Sequence, residues 1–117
     1  MNKRIVVTGM GVVTSLGDNK SDYFNNLMRG ASGISKISSI NVDKIDCKIG
    51  GDLGAYDFKK RLKEFEGVLP ESVFIKLKKL LKSSPFSTKL SLITAVSAYI
   101  DAGLFDNPVD SEKISCF

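Results

Sequence analysis

The feature that most limits the possible folds of this chain is an apolar stretch near its carboxyl end. Between residues 90 and 100, apolar side chains occupy most of the circumference of a helix rather than one side of it. A helix of this kind is normally covered on several sides, whereas a surface helix keeps a polar face. Ser84 and Pro85 precede the stretch, and Gly103 follows it as a terminator. The sequence therefore predicts a buried helix that requires several neighbours.

A second segment with the same requirement lies at the amino terminus. Residues 3–8 are mostly β-branched and apolar without alternation, which is typical of a strand buried on both faces of a mixed or parallel sheet. Three glycines in the loop of residues 9–17 predict a backbone that packs closely against its neighbours. Residues 113–117 have the pattern of a strand that is just beginning. We therefore expect the polypeptide to continue beyond this point.

Helical spacing predicts three further helices. The first spans about residues 19–29, with Asp18 or Asn19 as its cap and Gly30 as its terminator. Gly67 ends the second helix, and Pro70 lies in the first turn of the third. The apolar faces consist of Tyr23, Phe24, Leu27 and Met28 in the first helix, Phe58, Leu62 and Phe65 in the second, and Val73, Phe74, Leu77, Leu80 and Leu81 in the third.

The segment between the first two of these helices has less regular patterning. Residues 31–46 show no sustained period and are predicted to be mostly loop with a short extended piece. Residues 47–53 indicate an edge strand, although two adjacent glycines weaken it.

The composition excludes several classes of site. Histidine is absent, which removes Ser-His-Asp and Cys-His catalysis and the commonest zinc ligand. The chain has two cysteines, Cys47 and Cys116, and no secretory pattern, so we expect both to be reduced, buried and non-catalytic. No apolar run is long enough to span a membrane. We therefore expect a cytoplasmic protein without a metal site.

The glycine-rich loop invites comparison with a dinucleotide-binding fingerprint, because it follows a predicted strand and precedes a helix. Gly9 and Gly11 fit the first two glycine positions, but Thr14 takes the third. The helix also begins too late for a phosphate to lie on its first turn. The pattern therefore favours a tight structural loop over a nucleotide site.

The positive charge is concentrated in one third of the chain. The net charge is +4, but residues 57–89 contain nine Lys or Arg against four Asp or Glu, a net of +5, and the remainder sums to −1. An acidic partner would bind in this region. Nucleic acid is a poor match, because the aromatic residues among the lysines have the helical spacing of core residues.

Three segments resemble the β-ketoacyl-acyl carrier protein synthases, which are condensing enzymes of the thiolase superfamily. They are RIVVTGMGVVTSLG at residues 4–17, YFNNLMRGASGIS at residues 23–35, and AYIDAGL at residues 98–104. SSPF at residues 83–86 stands where the family usually has a Met-Asp-Arg-Phe-like sequence. The resemblance implies an α/β fold, part of a thiolase-like layered fold in which helices cover a mixed sheet. Residues 1–117 would form its amino-terminal portion and leave it incomplete.

The resemblance implies that the parent protein is an acyltransferase of fatty acid or polyketide biosynthesis. Such enzymes make carbon-carbon bonds by decarboxylative condensation of malonyl-acyl carrier protein with an acyl thioester, and the resemblance implies that no organic cofactor is needed. The family's nucleophilic cysteine and two histidines lie beyond this chain, so the chain is expected to be scaffold without catalytic residues. The alternatives are a ketosynthase-like malonyl-carrier decarboxylase, a non-catalytic chain-length partner subunit or, in another class, a basic binding module.

The resemblance also implies a site for a partner. Lys79 and Lys82 lie where the family places basic residues that receive the acidic acyl carrier protein, and Lys76 shares their helical face. An ordinary solvated helix face is the competing interpretation. The other expected partners are the remainder of the parent chain and a second subunit, in a homodimer or a dimer with a related subunit. Neither nucleic acid binding nor a membrane span is expected.

Overall fold

The computed structural model describes residues 4–115, in which helices predominate and the sheet is small. In chain order the elements are α1 (Lys20–Met28), β1 (Ser35–Lys36), β2 (Ile49–Gly50), α2 (Phe58–Glu64), α3 (Glu71–Ser83), α4 (Phe86–Asp101) and a 3₁₀ turn (Ser111–Lys113). The expectation of a mixed helix and strand fragment is confirmed. None of the helices described between residues 4 and 115 combines the length and apolar character needed to cross a bilayer.

Local signals explain where the helices begin and end. The Asn19 side chain accepts a hydrogen bond from the Asp22 amide at 2.9 Å and caps α1. The Asp57 carboxylate caps α2 by accepting from the Lys59 and Lys60 amides, each at 3.0 Å. Left-handed glycines follow the ends of three helices, as predicted, because only glycine adopts that backbone without a Cβ penalty. They are Gly30, Gly67 and Gly103.

The core lies among the last three helices. Its five buried side chains come from α3, α4 and the segment that follows α2, and Ile93 of α4 is fully buried. Burial of an apolar side chain of this size contributes about 1.5–3 kcal/mol to the stability of the folded chain. The five are Phe65, Leu69, Leu77, Leu81 and Ile93.

A short antiparallel hairpin lies between α1 and α2. Ser35 pairs with Gly50, and Lys36 pairs with Ile49. Asp52 extends the hairpin, because its carboxylate accepts hydrogen bonds from the backbone amides of the two serines that follow β1, at 2.7 and 3.0 Å. These serines are Ser38 and Ser39. The predicted extended piece and edge strand are thus confirmed, although each strand has only two residues.

The predicted amino-terminal strand is wrong for this chain. Residues 4–8 form no strand, Ile5 is 96% exposed and Val7 is 80% exposed. A strand obtains its backbone hydrogen bonds from a neighbouring strand, and the described part of the chain places none beside this segment. Lys3 lies outside the described residues. The layered arrangement of a covered mixed sheet is therefore absent from residues 4–115, whose sheet is the β1–β2 hairpin.

Three smaller expectations also need correction. Helix α4 is not covered on all sides, because Ile93 is its one buried residue and Ala95 is exposed. Residues 113–115 form the end of a 3₁₀ turn and irregular backbone rather than a strand. Cys47 is exposed rather than buried. Cys116 and the last residue of the predicted terminal strand lie outside the described residues.

Candidate functional site

The glycine-rich loop packs directly on α4. A Cβ added at Gly9 would lie 2.4 Å from the Ala98 carbonyl oxygen, and one added at Gly11 would lie 2.0 Å from the Thr94 carbonyl oxygen. Both distances are too short for any side chain. The prediction of a closely packed structural loop is therefore confirmed, since these glycines bring two backbones together.

Asp101 joins three parts of the structure at the end of α4. Its carboxylate accepts a hydrogen bond from the Met10 amide at 3.0 Å and forms an ion pair with Lys20 at the start of α1. Lys20 and the Met10 amide hold the pKa of Asp101 below its usual value, because both favour the charged carboxylate. These contacts connect the glycine loop, α1 and α4, which is a structural role.

The three predicted partner-binding lysines all lie exposed on α3. Among residues 4–115, no carboxylate lies within ion-pair distance of Lys76, Lys79 or Lys82. Lys82 borders a cavity between α2 and α3, whereas Lys76 and Lys79 do not. All three lysines thus lie on the exposed surface of α3, and Lys82 also borders a concave surface.

The cavity beside Lys82 has a volume of about 690 Å³ and combines an apolar floor with a basic rim. The floor is formed by Phe58, Leu62, Phe74 and Leu81. The rim contains five lysines from three helices, which are Lys59, Lys63, Lys78, Lys82 and Lys89. Asp57 and Glu66 are the two acidic residues in the lining. The basic character of the segment therefore converges on one concave surface.

An aromatic row forms one end of this cavity. The Phe58 ring has an edge-on contact with Tyr56 at a centroid distance of 4.8 Å and another with Phe86 at 5.6 Å. Lys89 Nζ lies 5.6 Å from the Phe58 ring centroid, in a cation–π contact. Burial and the nearby Asp18 carboxylate raise the pKa of Tyr56 to about 12. Phe58 is therefore fixed by its neighbours.

Arg61, the one arginine of the basic segment, is used inside the fold. Its guanidinium pairs with Glu64, donates to Ser97 Oγ at 3.1 Å and lies 5.0 Å from the Phe65 ring centroid. The side chain is only 11% exposed. The charge that this segment offers to a partner is therefore carried by lysine.

The described residues contain no recognisable catalytic constellation. Cys47 Sγ lies 3.2 Å from the Ile49 carbonyl oxygen, to which it donates, and the chain has no histidine to activate the thiol. Between residues 4 and 115, no group of three or more Cys, Asp or Glu side chains is placed to hold a metal ion.

Sequence reasoning missed the cavity itself. The available signal was the spacing of four residues between Lys59 and Lys63 and again between Lys78 and Lys82, which places each pair on one helix face. Nothing in that spacing indicates that the two pairs line the same cavity, because only the tertiary arrangement of α2 and α3 decides it.

Comparison with known proteins identifies the family. The family model described as "Beta-ketoacyl synthase, N-terminal domain" matches residues 2–117. The chain is 38% identical over 55 residues to a 3-oxoacyl-[acyl-carrier-protein] synthase 2 of Synechocystis sp.. The matched stretch is 47% of this chain and 13% of the relative. It is 41% identical over 54 residues to the chloroplastic 3-oxoacyl-[acyl-carrier-protein] synthase II of Arabidopsis thaliana. This match is 46% of this chain and 10% of the relative.

A third relative matches over a longer stretch. The polyketide biosynthesis malonyl-ACP decarboxylase PksF of Bacillus subtilis is 28% identical over 110 residues, which is 94% of this chain and 23% of the relative. The chain thus spans less than a quarter of the length of each of these three relatives. No solved structure matches it. Because the family match extends from residue 2 to residue 117, this chain belongs to the family of β-ketoacyl synthase amino-terminal domains.

Proposed function

We propose that residues 1–117 are the amino-terminal portion of a β-ketoacyl synthase-like domain in an acyltransferase of fatty acid or polyketide biosynthesis. The parent enzyme condenses malonyl-acyl carrier protein with an acyl thioester and releases carbon dioxide. The observation that carries this proposal is the family match across residues 2–117. Two of the named relatives, both 3-oxoacyl-[acyl-carrier-protein] synthases, support condensation as the reaction.

In this proposal the chain is scaffold, and the chemistry lies in the rest of the parent protein. The nucleophilic cysteine and the histidines of the reaction would be supplied by other parts of the parent protein, because this chain contains no histidine. The exposed apolar residues 5–7 would enter the mixed sheet of a thiolase-like layered fold once partner strands are present. The parent would act in the cytoplasm, as a homodimer or a dimer with a related subunit, without an organic cofactor.

The experiment is to assay the 117-residue chain and the complete parent protein with malonyl-acyl carrier protein and an acyl donor. We expect condensation by the parent and no turnover by the chain alone, because the nucleophile is supplied elsewhere. Turnover by the isolated chain would contradict the scaffold role. Absence of both condensation and decarboxylation in the parent would contradict the proposed reaction class.

A second candidate is a malonyl-carrier decarboxylase. The observation that favours it is the extent of the PksF match, which covers 94% of this chain where the two synthase matches cover about half. A decarboxylase and a condensing enzyme differ in whether the carbanion is protonated or attacks an acyl thioester. Product analysis of the parent therefore separates them, and release of acetyl-carrier protein without any condensation product would identify the decarboxylase. A subunit inactive in both assays would fit a chain-length partner.

The proposal extends to an acyl carrier protein as partner, bound through Lys76, Lys79 and Lys82. These lysines are exposed on α3 and have no acidic neighbour within ion-pair distance among residues 4–115. Each exposed pair with the carrier would contribute about 0–1 kcal/mol, so their main effect would be on the encounter rate.

Replacement of all three lysines by glutamate in the parent protein tests this site. We expect slower association with the carrier and a flatter salt dependence, because long-range attraction is removed. The matched control replaces three exposed lysines outside the basic segment, which are Lys36, Lys44 and Lys113. Equal association rates for wild type and the α3 variant at low ionic strength would show that the carrier binds elsewhere.

A further inference from the structure

We propose that the cavity between α2 and α3 binds a single-chain anionic amphiphile, of which a fatty carboxylate is the simplest example. The apolar chain would lie on the aromatic and aliphatic floor, and the anionic headgroup would lie among the rim lysines. This site is separate from the proposed acyl-transfer reaction and does not depend on it.

The floor matches an apolar chain in size and chemistry. The volume of about 690 Å³ falls within the range of about 300–1,000 Å³ that is usual for small-molecule sites. Phe74 and Lys82 mark the two ends of the α3 wall, and eight residue rises separate them by about 12 Å. A chain of moderate length therefore fits along the wall, where Leu62 and Leu81 offer apolar contact.

The rim matches an anionic headgroup. Five lysines surround the cavity against two carboxylates, and Asp57 is already engaged with the first amides of α2. Lysine is a compact charge on a flexible apolar stem, so the stems can extend the floor while the ammonium groups gather around one anion. A neutral apolar ligand would leave this excess of positive charge without a partner.

Two other classes of partner fit the cavity less well. Single-stranded nucleic acid needs open aromatic faces for base stacking, but the Phe58 ring is occupied by Tyr56, Phe86 and Lys89. An acidic protein surface would use the open lysines of α3 as readily as the lysines of the cavity, and it has no need of an apolar floor. Replacing the cavity lysines in one variant and the open lysines in another therefore tests whether the ligand binds in the cavity.

The test is a calorimetric titration of the chain with decanoate below its micelle concentration. Decanoate should bind, whereas acetate, which lacks the chain, and decyltrimethylammonium, which reverses the headgroup charge, should not. Because a ligand that binds only the folded state stabilises it, decanoate should also raise the Tm. Equal binding of decyltrimethylammonium, or no binding and no rise in Tm with decanoate, would overturn the proposal.

Adjacent lysines on the same two helices provide matched variants. Lys59→Gln with Lys78→Gln removes two rim charges, whereas Lys60→Gln with Lys79→Gln removes two charges outside the cavity. We expect about tenfold weaker decanoate binding in the first variant and a change of about twofold or less in the second. Arginine at positions 59 and 78 should retain most of the affinity because the charge is kept.

The source of the ligand is distinguished with two further probes. Vesicles containing phosphatidylglycerol test a membrane headgroup, and polyglutamate tests an acidic protein surface. Tight binding of free decanoate with no vesicle binding indicates a soluble amphiphile, and vesicle binding that is lost with Lys59→Gln and Lys78→Gln indicates a lipid in a membrane. Equal loss of decanoate affinity in both lysine variants, or polyglutamate binding that outcompetes decanoate, would overturn the cavity as the site.

Discussion

The two halves of this chain use their apolar residues differently. Residues 58–101 contain three helices whose apolar faces meet, and the five buried side chains found among residues 4–115 all lie within that span. Residues 4–54 contain none of them, and Ile5, Phe24 and Met28 are 96%, 61% and 72% exposed. The difference shows that a segment can form a helix without burying its apolar face. Helix α1 forms from its own cap and terminator, but its apolar stripe is left largely uncovered.

A strand depends on its neighbours even more than a helix does. A helix satisfies its backbone hydrogen bonds within one segment, whereas a strand needs a second segment beside it. Residues 4–8 therefore form no strand, although the run Ile5-Val6-Val7 suits a buried strand. The helical half buries its apolar residues among three helices that are consecutive in the chain, whereas the described residues place no second strand beside the amino-terminal segment.

The largest expected effect comes from truncating one isoleucine in each half. Ile93→Ala should lower the free energy of unfolding by about 2–5 kcal/mol, because the side chain is fully buried among α2, α3 and α4. Ile5→Ala should change it by about 0.5 kcal/mol or less, because Ile5 is almost fully exposed. Urea denaturation monitored by circular dichroism measures the free energy of unfolding of both variants. Similar losses in the two variants would contradict the contrast between the halves.

A smaller effect is expected where the two halves touch. Gly11→Ala should destabilise the chain by about 1–3 kcal/mol, because the new Cβ would lie 2.0 Å from the Thr94 carbonyl oxygen and force the loop away from α4. Hydrogen exchange of the Met10 amide, which donates to Asp101, should become faster. The control is Gly51→Ala, whose Cβ would lie 3.4 Å from Ser15 Oγ. Unchanged exchange at Met10 would show that the loop is not fixed by this contact.

The smallest effect is a pH dependence of the β1–β2 hairpin in the amino-terminal half. Hydrogen bonds from Ser39, Ser38 and Gly54 hold the pKa of Asp52 below its usual value of 3.8. A carboxyl group whose folded pKa is lowered contributes stability above its unfolded pKa and loses it as the pH falls through the folded pKa. The Ser38 and Ser39 amides should therefore stay protected at pH 4 and lose protection only in more acidic solution.

Asp52→Asn provides the control for this titration, because an amide cannot change its charge. In that variant the acid dependence of the two serine amides should disappear, while the helical core stays unaffected. Loss of protection in the wild type above pH 4 would contradict the lowered pKa.

The sequence by itself determined the local elements and the family. Caps and glycine terminators predicted α1 to α4 to within a few residues, because each signal acts on backbone groups a few positions away. The glycine loop was correctly predicted to pack closely, although not against which element. The carrier-binding role of Lys76, Lys79 and Lys82 stays a prediction.

Tertiary structure alone decided which surfaces were covered and which were brought together. It left residues 4–8 unpaired, covered only part of α4, and assembled five lysines from three helices around one cavity. Periodicity states which residues share a face of one helix, but the partner of that face depends on packing between segments distant in the chain. For that reason the sequence could group Lys82 with Lys76 and Lys79 on one helix, but it could not show that Lys82 also lines a cavity together with Lys59 and Lys63.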